Sequence, residues 1–250
     1  MRPPPGARGE ARPHQRHGRH PQRQHHGHPG SGLAAVLIDL HAHTLPLSHD
    51  SSLTADELIE AAKAAGLDGI CLTEHDFAWD PEEVGRLARR HRFLVLPGME
   101  VNTEHGHVLA FGLSGYRYGM HRVSELARLA AQEGAVLLAA HPYRRQIPWE
   151  PGDDGRWQEA IERALRNPCY GVVVAVEGLN GRGSETENRF SLEVAERLGL
   201  PIVAGSDAHA REDVGRCATE FTGRIEGLED LLEALRRGRF RALWLDRAQV

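Results

Sequence analysis

Ile38-Asp39-Leu40-His41-Ala42-His43-Thr44, with Ser48-His49-Asp50 close behind, brings two imidazoles within reach of one ion. The apolar run 34–38 reads as a buried strand. Residues i and i+2 of a strand point to the same side, so His41 and His43 face one point at its C-terminal end. Two neutral imidazoles suit a borderline divalent metal. Taken alone, the pair is also what two unrelated histidines at a strand end look like. Repetition of the pattern along the chain is what gives it weight.

Further apolar runs end in polar, ligand-type residues: His75 after 69–73, Glu100 after 93–97, His141 after 135–140, and Asp207 with His209 after 201–206. His107 opens the run 106–112, and Asp50 follows the first strand. His41, His43, Asp50, His75, Glu100, His107, His141, Asp207 and His209 are all nitrogen or oxygen donors. They are more than one ion needs, and with no cysteine among them they suit two or three divalent ions, Mn, Zn or Fe. Glu100 is the natural bridging carboxylate. Clustered divalent ions lower the pKa of a bound water and clamp the oxygens of an in-line displacement. Phosphoester hydrolysis needs both, so a metal-bound hydroxide attacking phosphorus is the expected chemistry. Arg144, three residues after His141, is placed to fork onto phosphate oxygens, unless it is simply a loop arginine facing solvent. Asp76 is expected to orient His75 or a bound water. Asn180 is a candidate for substrate contact, and Glu177 pairs either with the site or, as structure, with Arg182. No serine or cysteine nucleophile stands beside a base, so covalent catalysis is not expected.

The elements that must carry these residues alternate. Thr54-x-x-Glu57 and Ser184-x-x-Glu187 are capping boxes, and Asp80-Pro81 is a helix start. Gly66, Gly134 and Gly199 stop helices. Further helices are expected near 121–133, 157–166 and 228–237, and the sixth strand at 172–177. A short final strand is expected near 240–243. Strands that are apolar throughout, alternating with helices, predict a parallel sheet covered by helices. About seven strands fit one barrel-like domain, with an open doubly wound sheet as the alternative. No glycine-rich nucleotide-binding loop is present.

Lys+Arg 30 against Asp+Glu 35 gives a net charge of -5, which argues against a general nucleic-acid surface. Cys71, Cys169 and Cys217 are far apart and odd in number, as reduced thiols of a cytoplasmic protein would be. No run approaches a membrane span, and no h-region precedes residue 33. Residues 1–32 are rich in Pro, Arg, His and Gly and are expected to be a disordered tail, dispensable for the domain at 33–250. Six of the 16 histidines lie in that tail and stand apart from the cluster.

Asp39-Leu-His41-Ala-His43-Thr44, Leu72-Thr-Glu-His75-Asp76, Gly98-Met-Glu100, Gly106-His107, His141-Pro142 and Gly205-Ser-Asp207-Ala-His209, in that order, resemble the PHP (polymerase and histidinol phosphatase) family. The resemblance spans residue 36 to about 240 and implies a distorted TIM-like (β/α)7 barrel with a trinuclear site. It would put His41, His43, Glu100 and Asp207 on one metal and Glu100, His107 and His141 on a second. His75, His209 and Asp50, or His49 in place of Asp50, would hold the third. Asp50 is expected because it suits the family's Ser-x-Asp form, and His105 is expected to be solvated beside the ligand His107. The implied activity is phosphatase action on a small phosphorylated metabolite of the nucleotide, sugar or histidinol phosphate type. The alternatives are a phosphodiesterase or exonuclease using the same site, and a metal-binding module without turnover. Metal-assisted attack on a carbon ester or amide is disfavoured, because the one lysine, Lys63, lies on a predicted helix rather than at a strand end.

Overall fold

In the computed structural model, residues 35–144, 146 and 152–245 are described. The expected tail at 1–32 and the residues around Trp149 lie outside them. Ten strands and six helices are found among the described residues, in the order β1 (Ala35–Asp39), α1 (Ala55–Ala64), β2 (Gly69–Leu72), α2 (Pro81–His91), β3 (Leu94–Pro97), β4 (Met99–Thr103), β5 (Gly106–Phe111), α3 (Val123–Glu133), β6 (Val136–Ala139), α4 (Asp154–Leu165), β7 (Ala175–Asn180), α5 (Glu185–Leu198), β8 (Ile202–Gly205), β9 (Cys217–Thr222), α6 (Leu228–Arg236) and β10 (Phe240–Trp244).

The strands form two five-stranded sheets, β10-β9-β1-β2-β3 and β4-β5-β6-β7-β8. This corrects the expectation of a purely parallel sheet. β1, β2 and β3 are parallel, as are β6, β7 and β8, but β9 runs antiparallel to β1 and β10, and β5 antiparallel to β4 and β6. The β4–β5 pair follows from a short connection, the Glu104-His105 turn, which leaves no room for a crossover helix, whereas β5–β6 and β9–β10 are antiparallel although α3 and α6 lie between them. Glu100 therefore does not end the strand at 93–97. Backbone pairing passes to β4 after Gly98, where an added Cβ would lie 2.7 Å from the Phe111 ring. The strand expected at 172–177 is β7 and also starts later, at Ala175, because Pro168–Gly171 forms a 3-10 turn.

Local chemistry sets the helix ends. Both capping boxes form, at Thr54 and Ser184, and Asp80 accepts from the backbone of Glu82 and Glu83 with Pro81 following it. Gly134 and Gly199 close α3 and α5 in the left-handed conformation. α2 closes the same way but on Arg92, at φ +49°. A non-glycine residue there costs about 1–2 kcal/mol. Arg92→Gly is expected to stabilise the protein by about 0.5–1 kcal/mol, the gain being reduced by the freer unfolded chain. A rise of about 1–4 °C in melting temperature would show it, and a fall would refute it.

Ile38, Cys71, Leu109, Phe111, Leu138, Val203 and Phe221, from both sheets, join Leu231, Leu232 and Leu235 of α6 in one buried cluster. Burying about ten such side chains at roughly 1.5–3 kcal/mol each offers ample cohesion between the sheets and α6. At the opposite end, beyond the C-termini of the parallel strands, the backbone links differ. Asp207 N donates to His41 O (2.7 Å) and His43 N to Ala208 O (3.0 Å). Glu100 N donates to Glu74 O (3.0 Å) and Asp76 N to Glu100 O (2.9 Å). These bridges tie β1 to the end of β8 and the end of β2 to β4, and they fix the residues argued next. Among the described residues, no helix is long and apolar enough to cross a membrane.

Candidate metal centre

Four side-chain atoms face one another beyond the ends of β1 and β8 and at the start of β4. His41 Nε2 and His43 Nε2 are 3.0 Å apart. Glu100 Oε2 lies 3.4 and 3.3 Å from them, and Asp207 Oδ1 3.6 and 3.5 Å. All four residues are fully buried. Glu100 Oε2 and Asp207 Oδ1 find no hydrogen-bond partner. A buried carboxylate oxygen left so is costly. Four ligands at ordinary zinc bond lengths, set tetrahedrally, stand about 3.4 Å apart. The donor set, its spacing and its two orphaned oxygens therefore fit a divalent ion.

Glu100 is the hub. Its Oε1 accepts from His107 Nδ1 (2.7 Å) and lies 2.8 Å from His141 Nε2, while Oε2 lies 2.9 Å from His75 Nδ1. A further group sits alongside: Asp50 Oδ2 is 3.4 Å from His75 Nε2 and 3.1 Å from His209 Nε2, and the His43 ring stands 4.3 Å from both the His75 and the His209 rings. His49 and Asp50 are both exposed, and Asp50 is the one whose carboxylate meets these imidazoles. All nine expected ligand residues thus lie in one contiguous cluster, with Asp50 rather than His49 turned into it. His105 is about two-fifths exposed and pairs with Glu104.

The cluster is strongly polarised. Burial pushes His41 down, but Glu177, Glu100 and Asp207 outweigh it and hold the imidazole well above its usual range. Burial dominates at His43 and lowers it to about 4. Burial also opposes the ionised forms of Glu100 and Asp207, yet His41 and its neighbours hold both well below the carboxylate range.

Several positions differ from expectation. Asp76 does not pair with His75: its carboxylate accepts from the Asn102 N–H of β4 (2.9 Å), so His75 is oriented by Glu100 and Asp50 instead. Arg144 turns inward, its guanidinium on Asp207 and 3.2 Å from His141 Nε2. Asn180 is fully buried and engaged, with Nδ2 donating to Glu177 (3.0 Å) and Asp207 (3.3 Å). Glu177 does not pair with Arg182. It accepts from His41 Nδ1 (2.8 Å) and from the His141 N–H (2.9 Å). Arg182 reaches His209 Nδ1 (2.8 Å) instead.

Sequence reasoning gave Asp39 no role. It is fully buried, accepts from the His41 and Ser206 N–H groups (3.1 and 2.8 Å), and is raised by burial to about 6. Its place just before His-x-His at the end of an apolar strand was the available signal. Backbone strain also gathers here. His141 and Asp207 have φ of +25° and +54°, and Asp76 +51°. Such non-glycine conformations persist where surrounding structure over-determines them. Gly205 is required by close approach, since an added Cβ would stand 2.4 Å from His41 Cβ and 2.8 Å from Glu177 Oε1.

The PHP domain profile matches residues 39–173, and the PHP-associated profile matches 185–240. A protein of Thermoanaerobacter sp. (strain X514), named "Probable phosphatase", is 25% identical over 225 residues, covering 72% of this chain and 82% of that one. Among solved structures, PsfC from Pseudomonas syringae PB-5123 superposes with a TM-score of 0.59 at 21% identity, covering 84% of this chain and 91% of PsfC. The lesion-specific endonuclease PfuEndoQ from Pyrococcus furiosus gives 0.54 at 18% identity, covering 84% and 58%. At these identities the two structures speak to the fold.

Proposed function

The chain belongs to the PHP family, and from that premise we propose that it hydrolyses the phosphate monoester of a small metabolite at a centre of two or three divalent ions. The observation that carries this reading is the pair of orphaned buried oxygens, Glu100 Oε2 and Asp207 Oδ1, aimed at the two imidazole nitrogens of His41 and His43. The sequence relative named as a phosphatase supports the substrate class. His41, His43, Glu100 and Asp207 would hold one ion; Glu100, His107 and His141 a second; Asp50, His75 and His209 a third. Mn, Zn and Fe all suit such oxygen and nitrogen donors. Bound there, the ions supply a water of lowered pKa and charge for the phosphoryl oxygens.

The chain's own residues do the rest. Glu177 takes the His41 Nδ1 proton as a hydrogen bond, which leaves the Nε2 lone pair for the centre. Arg144 sits about one-third exposed between Asp207 and solvent, and exchanges Asp207 for a substrate phosphate, whose oxygens its planar fork matches. On the same reading the parallel runs of the two sheets, β1-β2-β3 and β6-β7-β8, would be opposite walls of one distorted TIM-like barrel, with the antiparallel strands added to it. The β1–β8 and β2–β4 bridges would be its seams at the mouth, and the shared core supports them.

The test is a phosphate-release screen over phosphorylated metabolites, with Mn, Zn and Fe added in turn and a bis-ester run beside each monoester. Chelator-sensitive release from monoesters is expected. Faster cleavage of the bis-ester would make the chain a phosphodiesterase, and no release from a fully metal-loaded protein would refute hydrolysis. A further expectation concerns the third ion. Asp50→Ala should lose about one metal per chain and most turnover, while His49→Ala keeps its metal, because Asp50 is the residue turned toward His75 and His209. Metal analysis of the two purified variants checks this, and the reverse result would reassign the ligand.

A further inference from the structure

Glu74 is a buried carboxylate at the mouth that the reading above leaves without a task. It lies just past the C-terminal end of β2, is fully buried, and accepts from four donors. These are Thr44 N (2.9 Å), Thr44 Oγ1, Ser48 Oγ (2.5 Å) and Trp79 Nε1 (2.9 Å). Three of the four belong to the loop that leaves His43. Four donors are close to the full acceptor capacity of one carboxylate, and structural bracing alone would explain them. The contact that goes further is on Ser48. Its hydroxyl lies 3.2 Å from His43 Nδ1 as well as 2.5 Å from Glu74 Oε2.

A hydroxyl carries one proton. Glu74 is the acceptor in all four of its bonds, so the Ser48 O–H points at it. The Ser48 oxygen can then only accept from His43, which fixes the His43 proton on Nδ1. The bare nitrogen is consequently Nε2, the atom that faces His41 Nε2 at 3.0 Å and Asp207 Oδ1 at 3.5 Å. Without an acceptor beyond it, Ser48 would be free to turn its proton to His43 Nδ1 and move the imidazole proton to Nε2, where it would block the ion. We propose that Glu74, acting through Ser48, is a positioning residue that sets the tautomer of His43 and thereby aims its lone pair at the centre. This rests on the metal-centre reading above. It gives His43 a two-step counterpart of the direct Glu177–His41 bond.

The experiment uses the full chain and zinc alone as the probe. Ser48→Ala cuts the relay but leaves the Thr44 and Trp79 bonds of Glu74 in place. Glu74→Leu removes the acceptor. Trp79→Phe removes a Glu74 contact that is not part of the relay. Zinc affinity is expected to fall about 10–100-fold in Ser48→Ala and Glu74→Leu, the usual size of an outer-partner effect, and to stay within about twofold in Trp79→Phe. In nitrogen-15 correlation spectra, the zinc-loaded wild type should show a slowly exchanging Nδ1–H on His43, and Ser48→Ala should lose it. Should Glu74→Leu fail to fold, Ser48→Ala decides. Unchanged zinc affinity and an unchanged Nδ1–H signal in Ser48→Ala would overturn the proposal. So would an equal loss in Trp79→Phe, which would make Glu74 a brace only. A wild type that takes up no zinc would instead sink the metal-centre reading, a result distinct from wild-type uptake matched by every variant.

Discussion

Glu100→Gln is expected to cost the protein more than any other single substitution. The change keeps size and shape but removes the charge that five imidazoles share. His107 and His141 meet Oε1, and His75, His43 and His41 meet Oε2, all within 2.7–3.4 Å. An amide can bind a cation weakly through its oxygen, but its nitrogen is a donor and turns repulsive toward any ion on that side. On the reading that Glu100 bridges two ions, metal content should drop by more than one ion per chain. Turnover should fall by about 10²–10³-fold or more, the scale on which removing one preorganised electrostatic group acts. Metal analysis and phosphate release on the same preparation measure both. Full metal content with turnover within tenfold of wild type would remove Glu100 from the bridging role.

Exhaustive chelation of the wild type is expected to have the second largest effect, and on two observables. Turnover stops, and melting temperature falls. An ion held at 100 times its dissociation constant contributes about 2.7 kcal/mol to the folded state, and more where several ions bind. For a chain of this size that amounts to roughly 5–11 °C. Protons compete with the metal in a direction that the site's electrostatics fix. Because its carboxylate neighbours hold His41 well above its usual range, the metal-free protein keeps that imidazole protonated at neutral pH. Metal uptake must expel this proton, so binding at neutral pH should acidify a weakly buffered solution, and affinity should decline as pH falls. Calorimetry in two buffers of different ionisation enthalpy would register the proton. Turnover and melting temperature both unchanged, with the metal shown to be gone, would refute a metal-dependent reaction.

The candidate ligand residues could be picked out in sequence because they follow or precede apolar runs, where the side of the chain and the end of the strand are both inferable. His41 and His43 needed only the two-residue repeat of a strand. What could not be read was how those ends meet. Glu177 and His41 are 136 positions apart, and only the fold brings them to 2.8 Å. The Ser48–Glu74 contact likewise joins a loop to a different strand. Asp76 illustrates the opposite limit, since its place beside His75 suggested a partner, while a left-handed backbone turned its carboxylate onto Asn102. Strand direction was obscured for a related reason. β9, Cys217–Thr222, carries buried Thr219 and half-buried Glu220 within it. An antiparallel strand with mixed polarity lacks the continuous apolar run that marks its parallel neighbours.

The three thiols offer the protein's own record of how it opens. Cys71 and Cys217 are fully buried in different core clusters, and Cys169 belongs to a third. Burial raises all three thiols, Cys169 to about 12, so in the closed protein they are both screened and unreactive. An alkylating reagent can therefore mark each only during an excursion that exposes its own region. The chain carries three clocks without any label having been introduced. Their rates, read by mass at each cysteine, would tell whether the two sheets come apart together or one at a time.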